Sequence, residues 1–410
     1  MNISKQQAPL MFGLMALALL LVGVLQSWSL ALTILNYCLI AGIMALGLNI
    51  QWGYAGLFNV GLMGFAALGG IAAVLVSMEP VPEAWAAGGA GIGAGLITSI
   101  ATVVLAIMAY RRLPKGALKG WGMTGIIVLG YFLARYFFDP AVARIESVNP
   151  AQSGFLGGLG LPIAWSWLVG GLLAAAVAAV IGKVTLGLRS DYLAIATLGI
   201  SEIIIAVLKN EDWLTRGVKN VNGLPRPVPF EYDLQQTVWA QEWAARFGAD
   251  LQDFTSIYVK LCYAGLSLVI LLALFWLAQT AIKSPWGRMM YAIRDNETAA
   301  EAMGKHVKGR HLQVFIIGSA VVGLAGAMMT TMDGQFTPTT YNPLRFTFLI
   351  WVMVIVGGSG NNLGSILGGF VIWFFWVEAE PMGYALLNFL TSGMAQESSL
   401  RAHLLDSAAH

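Results

Sequence analysis

Few residues in this chain can do chemistry, and their placement is the first clue. Of 410 residues, 11% are charged and 58% are hydrophobic. The four histidines, His306, His311, His403 and His410, make no metal-ligand spacing such as HExxH. Cys38 and Cys262 each sit in an apolar run, where a thiol behaves as a small hydrophobe rather than half of a disulfide or metal pair. No GxxxxGK[ST] phosphate loop is present, and GKVT at 182–185 lacks the residues that must precede it. No nucleophile stands beside a base, so neither a hydrolase nor a metalloenzyme is indicated, and nothing indicates nucleic-acid binding.

Three features remain. The first is AIRDNETAAEAMGKHVKGRH (292–311), a polar, charge-dense stretch between two oily ones. Asp295 and Asn296 are good N-cap residues, and Glu297 suits the first turn of a helix. Thr298 to Met303 reads as a short helix, with Gly304 as its stop and Lys305, His306 and Lys308 following in the favourable electrostatic sense. Its faces are alanines, so another protein can approach closely; a helix lying on lipid would carry large apolar residues. The second feature is glycine inside apolar sequence: WGYAGLFNVGLMGFAALGG (52–70) and GGSGNNLGSILGG (357–369), with Asn49, Asn59, Asn361 and Asn362 at the breaks. Such paired breaks either line a solute path between structural repeats or let helices pack closely. The third is Glu202, a carboxylate within LAIATLGISEIIIAVL, which is costly in a membrane unless it is used, paired or placed at a span end. Lys260 lies near a span end and is expected to reach toward the interface.

These residues must be positioned by membrane spans. Apolar runs of about 18 residues or more recur along the chain. Spans are expected at 10–27, 31–50, 57–77, 86–109, 121–138, 163–182, 192–208, 257–279, 312–332, 346–357 and 363–379. The fold class is therefore all-α: a polytopic membrane protein of about 10–11 spans with broken or re-entrant glycine-rich helices, 192–208 and 346–357 being short enough to suggest a break or tilt. Lysine and arginine placement orients the bundle. With Lys5 and the N-terminus in the cytoplasm, segments 110–120, 183–191 and 280–311 are cytoplasmic and basic. Segment 209–256 is then extracytoplasmic, and its seven acids outnumber its five bases. Prolines 225, 227 and 229 exclude helix locally, while 234–247 reads as a short amphipathic helix with Trp239, Trp243 and Phe247 on one face. Ser190 or Asp191 is expected to cap the helix that follows.

Four stretches, GYAGLFNVG (53–61), LGLRSDYLAIATLGISEI (186–203), SPWGRMMYAIRDNETAAEAMG (284–304) and VGGSGNNLGSILGG (356–369), resemble the branched-chain amino acid permeases of ABC importers, in particular the LivM-like subunit. The resemblance covers roughly 30–75 and 165–375. It implies one transmembrane permease domain over 1–410, with 84–150 as a two-span insertion and 283–311 as a cytoplasmic coupling loop. It implies ATPase coupling through Asn296, Glu297, Ala299, Ala300, Glu301, Ala302 and Gly304. A substrate path is expected along Gly53, Gly56, Asn59, Gly61, Glu202, Gly357, Gly358, Gly360 and Gly364. The implied cargo is a small neutral or zwitterionic solute, foremost branched-chain or hydrophobic amino acids. The implied partners are ABC ATPase subunits carrying ATP and Mg, a second homologous permease subunit, a periplasmic or lipid-anchored substrate-binding protein, and lipid in a bacterial-type inner membrane. No cofactor is expected in this chain, and no covalent chemistry. The alternatives are an ion-coupled secondary transporter using Glu202 and an ABC permease for urea or amides. After MGYALLNFLTSGM the family pattern would place another apolar span, where this chain reads QESSLRAHLLDSAAH; either a truncated end or a last helix supplied from elsewhere is the expectation.

Overall fold

The structure is a computed structural model that describes residues 7–114, 116–149 and 154–391. Lys5, on which the orientation was anchored, and the tail 392–410 lie outside the described residues. Among those described, nine helices are long and apolar enough to cross a membrane, and two shorter apolar ones, Leu62–Ser77 and Pro343–Gly357, bring the total to eleven. The all-α polytopic class therefore holds, with nine helices of membrane-crossing length among the described residues where about 10–11 were expected.

The first four helices are α1 (Ala8–Leu25), α2 (Trp28–Leu48, continued by a π-helical turn Asn49–Tyr54), α3 (Leu62–Ser77) and α4 (Ala90–Arg112). There follow α5 (Ala117–Ser147), α6 (Ile163–Thr185), α7 (Ser190–Asn210), α8 (Val238–Phe247) and α9 (Leu251–Lys283). The chain then forms α10 (Pro285–Asp295), α11 (Glu297–Ala302), α12 (Val307–Asp333), α13 (Pro343–Gly357) and α14 (Asn362–Leu390). Two short strands, β1 (Val221–Asn222) and β2 (Gln335–Phe336), pair antiparallel, with Val221 opposite Phe336.

The core forms where α12 packs on α6, α3 and α2, and where α2 packs on α14 and α9. Small residues let three backbones meet. A methyl group on Gly69 would lie 1.7 Å from the Gly323 carbonyl oxygen, and one on Gly326 would lie 2.0 Å from that of Ala66. In a membrane, where apolar burial gives helices little reason to associate, such contacts supply van der Waals attraction.

Several expectations need correction. Segment 192–208 is neither broken nor short: α7 runs unbroken over 21 residues. It starts without a side-chain cap, because Ser190 and Asp191 are its first two residues and Arg189 holds the cap position. Helix α9 reaches 33 residues, about 50 Å at 1.5 Å per residue, and overruns a hydrocarbon core of ~30 Å. Its overhang packs against α8: Trp239 lies 5.1 Å from Tyr258 and Phe247 lies 6.3 Å from Phe254. The expected helix at 234–247 divides at Gln236, and the Thr237 hydroxyl caps the second part. Helices α4 and α5 form a hairpin that packs on itself; it meets the rest near Ala84, Leu156 and Trp213.

Candidate functional site

Helix α11 is built as its sequence requires. The Asn296 side chain accepts the Ala299 amide at 2.9 Å. At the other end, Gly304 takes φ +75°, its amide reaches the Glu301 carbonyl at 2.9 Å, and the Lys305 amide reaches that of Ala300 at 3.1 Å. That pair of bonds is a Schellman stop, which satisfies carbonyls that a helix end otherwise orphans. Asp295 is not part of the cap; it ends α10. Glu297, Ala299, Glu301, Ala302 and Gly304 are exposed. Ala300 is buried at 8% exposure, so it seats α11 on the chain's own body rather than presenting a surface to a partner.

One turn before α11, α10 reaches both glycine breaks. The Arg294 guanidinium donates to the Gly53 carbonyl at 2.5 Å, and the Tyr291 hydroxyl donates to the Gly360 carbonyl at 3.3 Å. Burial pushes the Tyr291 hydroxyl up while Arg294 pulls it down, and the net shift is upward. Tyr291 therefore keeps its proton at neutral pH, and any stability from this shift is lost only as pH rises through the raised value.

The breaks are also joined directly. The Gly360 amide donates to Asn49 Oδ1 at 2.7 Å, and Asn49 Nδ2 donates to Asn362 Oδ1 at 2.9 Å. Tyr54 donates to that same Oδ1, and Asn362 Nδ2 donates to Gln279 of α9 at 2.9 Å. Asn49 and Asn362 are buried, so each must find partners within the protein. The backbone at Gly360 takes φ +84°, open to glycine and strained for other residues.

A second knot holds the far side of the first break. Asn59 donates to Gln51 Oε1 at 2.9 Å, and Gln51 donates to Ser319 Oγ and the Phe315 carbonyl, each at 3.1 Å. The Trp351 indole donates to the Asn59 carbonyl at 3.0 Å, and the Thr197 hydroxyl accepts the Val60 amide at 3.1 Å. Segment 55–61 is thus fastened to α12, α13 and α7 at once.

The expected path residues separate into two groups. A Cβ on Gly53, Gly61, Gly357 or Gly364 would meet backbone within 2.6 Å, so these glycines are points of helix contact. Gly56, exposed and at φ +70°, borders a cavity of about 170 Å³ with Ser190, Arg294, Glu297 and His311. The expected path and the coupling segment therefore meet at one end of the bundle. Gly358 and Gly360 are half-buried in the second break. Glu202 is elsewhere: it is exposed on α7, beside buried Ser201, and forms no ion pair or hydrogen bond among the described residues. Arg294, Tyr291, Gln51 and Gln279 were not singled out from sequence; Arg294 and Tyr291 lay inside a quoted motif, but nothing in their spacing names a partner more than 50 residues away.

A model of the family described as branched-chain amino acid transport system / permease component matches residues 118–385. Among curated proteins, the high-affinity branched-chain amino acid transport system permease protein LivM of Escherichia coli (strain K12) is 30% identical over 269 residues, 65% of this chain and 60% of that protein. The probable branched-chain amino acid transport permease protein LivM of Methanocaldococcus jannaschii is 24% identical over 331 residues, 80% of this chain and 74% of that one. The fructose import permease protein FrcC of Rhizobium meliloti is 22% identical over 299 residues, 70% of this chain and 68% of that protein. The chain thus spans about 60% of the length of the Escherichia coli relative. No solved structure matches. The matched residues run from the start of α5 to within α14 and take in the second break, α10, α11 and Gln279, the parts that tie one end of the bundle together, and on that match the chain belongs to the family of branched-chain amino acid transport system permease components.

Proposed function

We propose that this chain is the membrane-spanning permease subunit of an ABC importer, carrying branched-chain or other hydrophobic amino acids across a bacterial inner membrane with its N-terminus in the cytoplasm. Helix α11 is the element an ATPase subunit holds, through the exposed Glu297, Ala299, Glu301 and Ala302. A second permease subunit and a substrate-binding protein complete the importer. ATP and Mg belong to the ATPase, and this chain supplies a path and a lever rather than catalysis. The observation that carries the reading is the pair of bonds from α10 to Gly53 and Gly360, because a force applied to α11 reaches both helix breaks through one turn of helix. The ion-coupled alternative was placed on Glu202, and Glu202 is on an exposed face of α7.

The test is co-purification with the ATPase subunits of the same importer. Glu301→Arg and Ala302→Trp are expected to abolish ATPase capture while leaving the thermal unfolding of the permease unchanged. Capture at the wild-type level by both variants would sink the assignment. Competition of labelled leucine uptake by isoleucine, urea and acetamide separates the amino acid reading from the urea or amide one.

A further inference from the structure

At the end of the bundle opposite α11, a cavity of about 250 Å³ is lined by Asn36 and Tyr37 of α2, Lys260 of α9, Asp333 of α12, and the Arg226 and Glu231 pair. Met332 and Val259 give it an apolar wall. The volume falls below the ~300–1,000 Å³ of drug-sized sites, so the occupant must be small.

Its charges are separated. Asp333 accepts the Tyr37 hydroxyl at 2.6 Å but forms no ion pair among the described residues. The Lys260 carbonyl lies beside Asn36, and its side chain runs toward the end of the bundle, where the ammonium donates to the Ser29 carbonyl at 3.2 Å and to the Ser29 hydroxyl; it forms no ion pair among the described residues, Glu231 being the acid that acts on it. Arg226 pairs with Glu231 at 3.1 Å and leaves its Nε without a partner. Asn36 is 1% exposed, yet its Oδ1 has no hydrogen bond. An acid and a base that lack ion-pair partners, with an orphaned amide oxygen, around one cavity are costly unless a ligand completes them. Two cations and two anions sum to zero, which suits a molecule neutral overall but charged at both ends.

The fold holds the charges there deliberately. Strand β1 pairs with β2 directly after Asp333, and the Leu224 amide donates to the Gly334 carbonyl at 3.1 Å. That clamps the Arg226 segment onto the end of α12. Gly334, at φ +67°, leaves room for the guanidinium, which would lie 3.3 Å from a Cβ there.

We propose that this cavity binds the two charged groups of a small zwitterionic solute, Asp333 and Asn36 taking the ammonium and Lys260 with Arg226 taking the carboxylate. The proposal rests on the transport reading and assigns it a recognition site.

The experiment titrates the full-length protein in nanodiscs with three probes: leucine, 4-methylpentanoate, which lacks the ammonium, and 3-methylbutylamine, which lacks the carboxylate. The readout is tryptophan fluorescence, since Trp373 stacks on Tyr37 at 5.5 Å. Wild type is expected to prefer leucine at least tenfold over either analogue. Asp333→Asn should erase the preference over 4-methylpentanoate and keep that over the amine; Lys260→Gln should do the reverse. Asp333→Glu and Lys260→Arg should restore both. A rank of probes within one variant does not depend on how much of it folds. Unchanged ranks in both neutralising variants, or a wild type that binds the analogues as well as leucine, overturn the site. Leucine uptake in cells carrying the whole importer decides the transport reading separately. Wild-type uptake with an unchanged KM in both variants removes the site alone, whereas wild-type cells without uptake remove the transport reading.

Discussion

At the level of single residues, the asparagines carry the argument. Asn362 accepts from Asn49 and Tyr54 and donates to Gln279, so its loss strands two buried groups and a half-buried one. Asn362→Ala is expected to cost ~1–3 kcal/mol in chemical denaturation of the purified protein; an unchanged midpoint would show the knot to be dispensable. Glycine substitutions should divide by surroundings. Gly364→Ala puts a methyl 2.0 Å from the Gly357 carbonyl oxygen and is expected to lose ~1–3 kcal/mol as overpacking. Gly383→Ala, on the same helix with open space around it, should lose nothing and gain up to ~1 kcal/mol from helix propensity. The asparagines at the breaks were visible in the sequence because amides are rare in apolar runs. Their partners were not, since no local pattern links Asn49 to a residue more than 300 positions on.

Among the elements, α11 was the most legible. Its Asn296 cap, its stop and its exposed small face all follow from adjacent residues; Asp295 proved to end α10, and the inward side of Ala300 was misjudged, because six helical residues do not reveal which face a neighbour covers. Asn296→Ala is expected to cost this helix ~0.5–2 kcal/mol, and Gly304→Ala ~1–2 kcal/mol for a left-handed alanine. Both should lower solute-stimulated ATP hydrolysis in the assembled importer more than they lower solute binding; equal losses in the two assays would argue for a general structural effect. Helix α7 shows the opposite case. Its short apolar run suggested a broken or tilted segment, yet local sequence is a weak guide to where a span ends, and the helix simply continues to Asn210.

For the whole molecule, the breaks come together at one end and the charged cavity forms at the other. Neither fact was available without the packing of α2 against α12, α14 and α9. The α4–α5 hairpin stands apart from this arrangement. Replacing 91–147 by a short flexible linker is expected to leave a folded protein with an unfolding temperature within a few degrees of wild type, read by a thermal shift assay. Collapse into aggregates would mean that the hairpin supports the core. The bond from the Gly360 amide to Asn49 Oδ1 has a consequence beyond stability. This proton, in the turn between α13 and α14, is held by a side chain from the other half of the chain, not by a neighbouring carbonyl. It can escape to solvent only when the halves part. Its deuterium exchange should therefore act as a clock for that separation, ticking faster when the ATPase cycle runs and falling silent when α11 is locked.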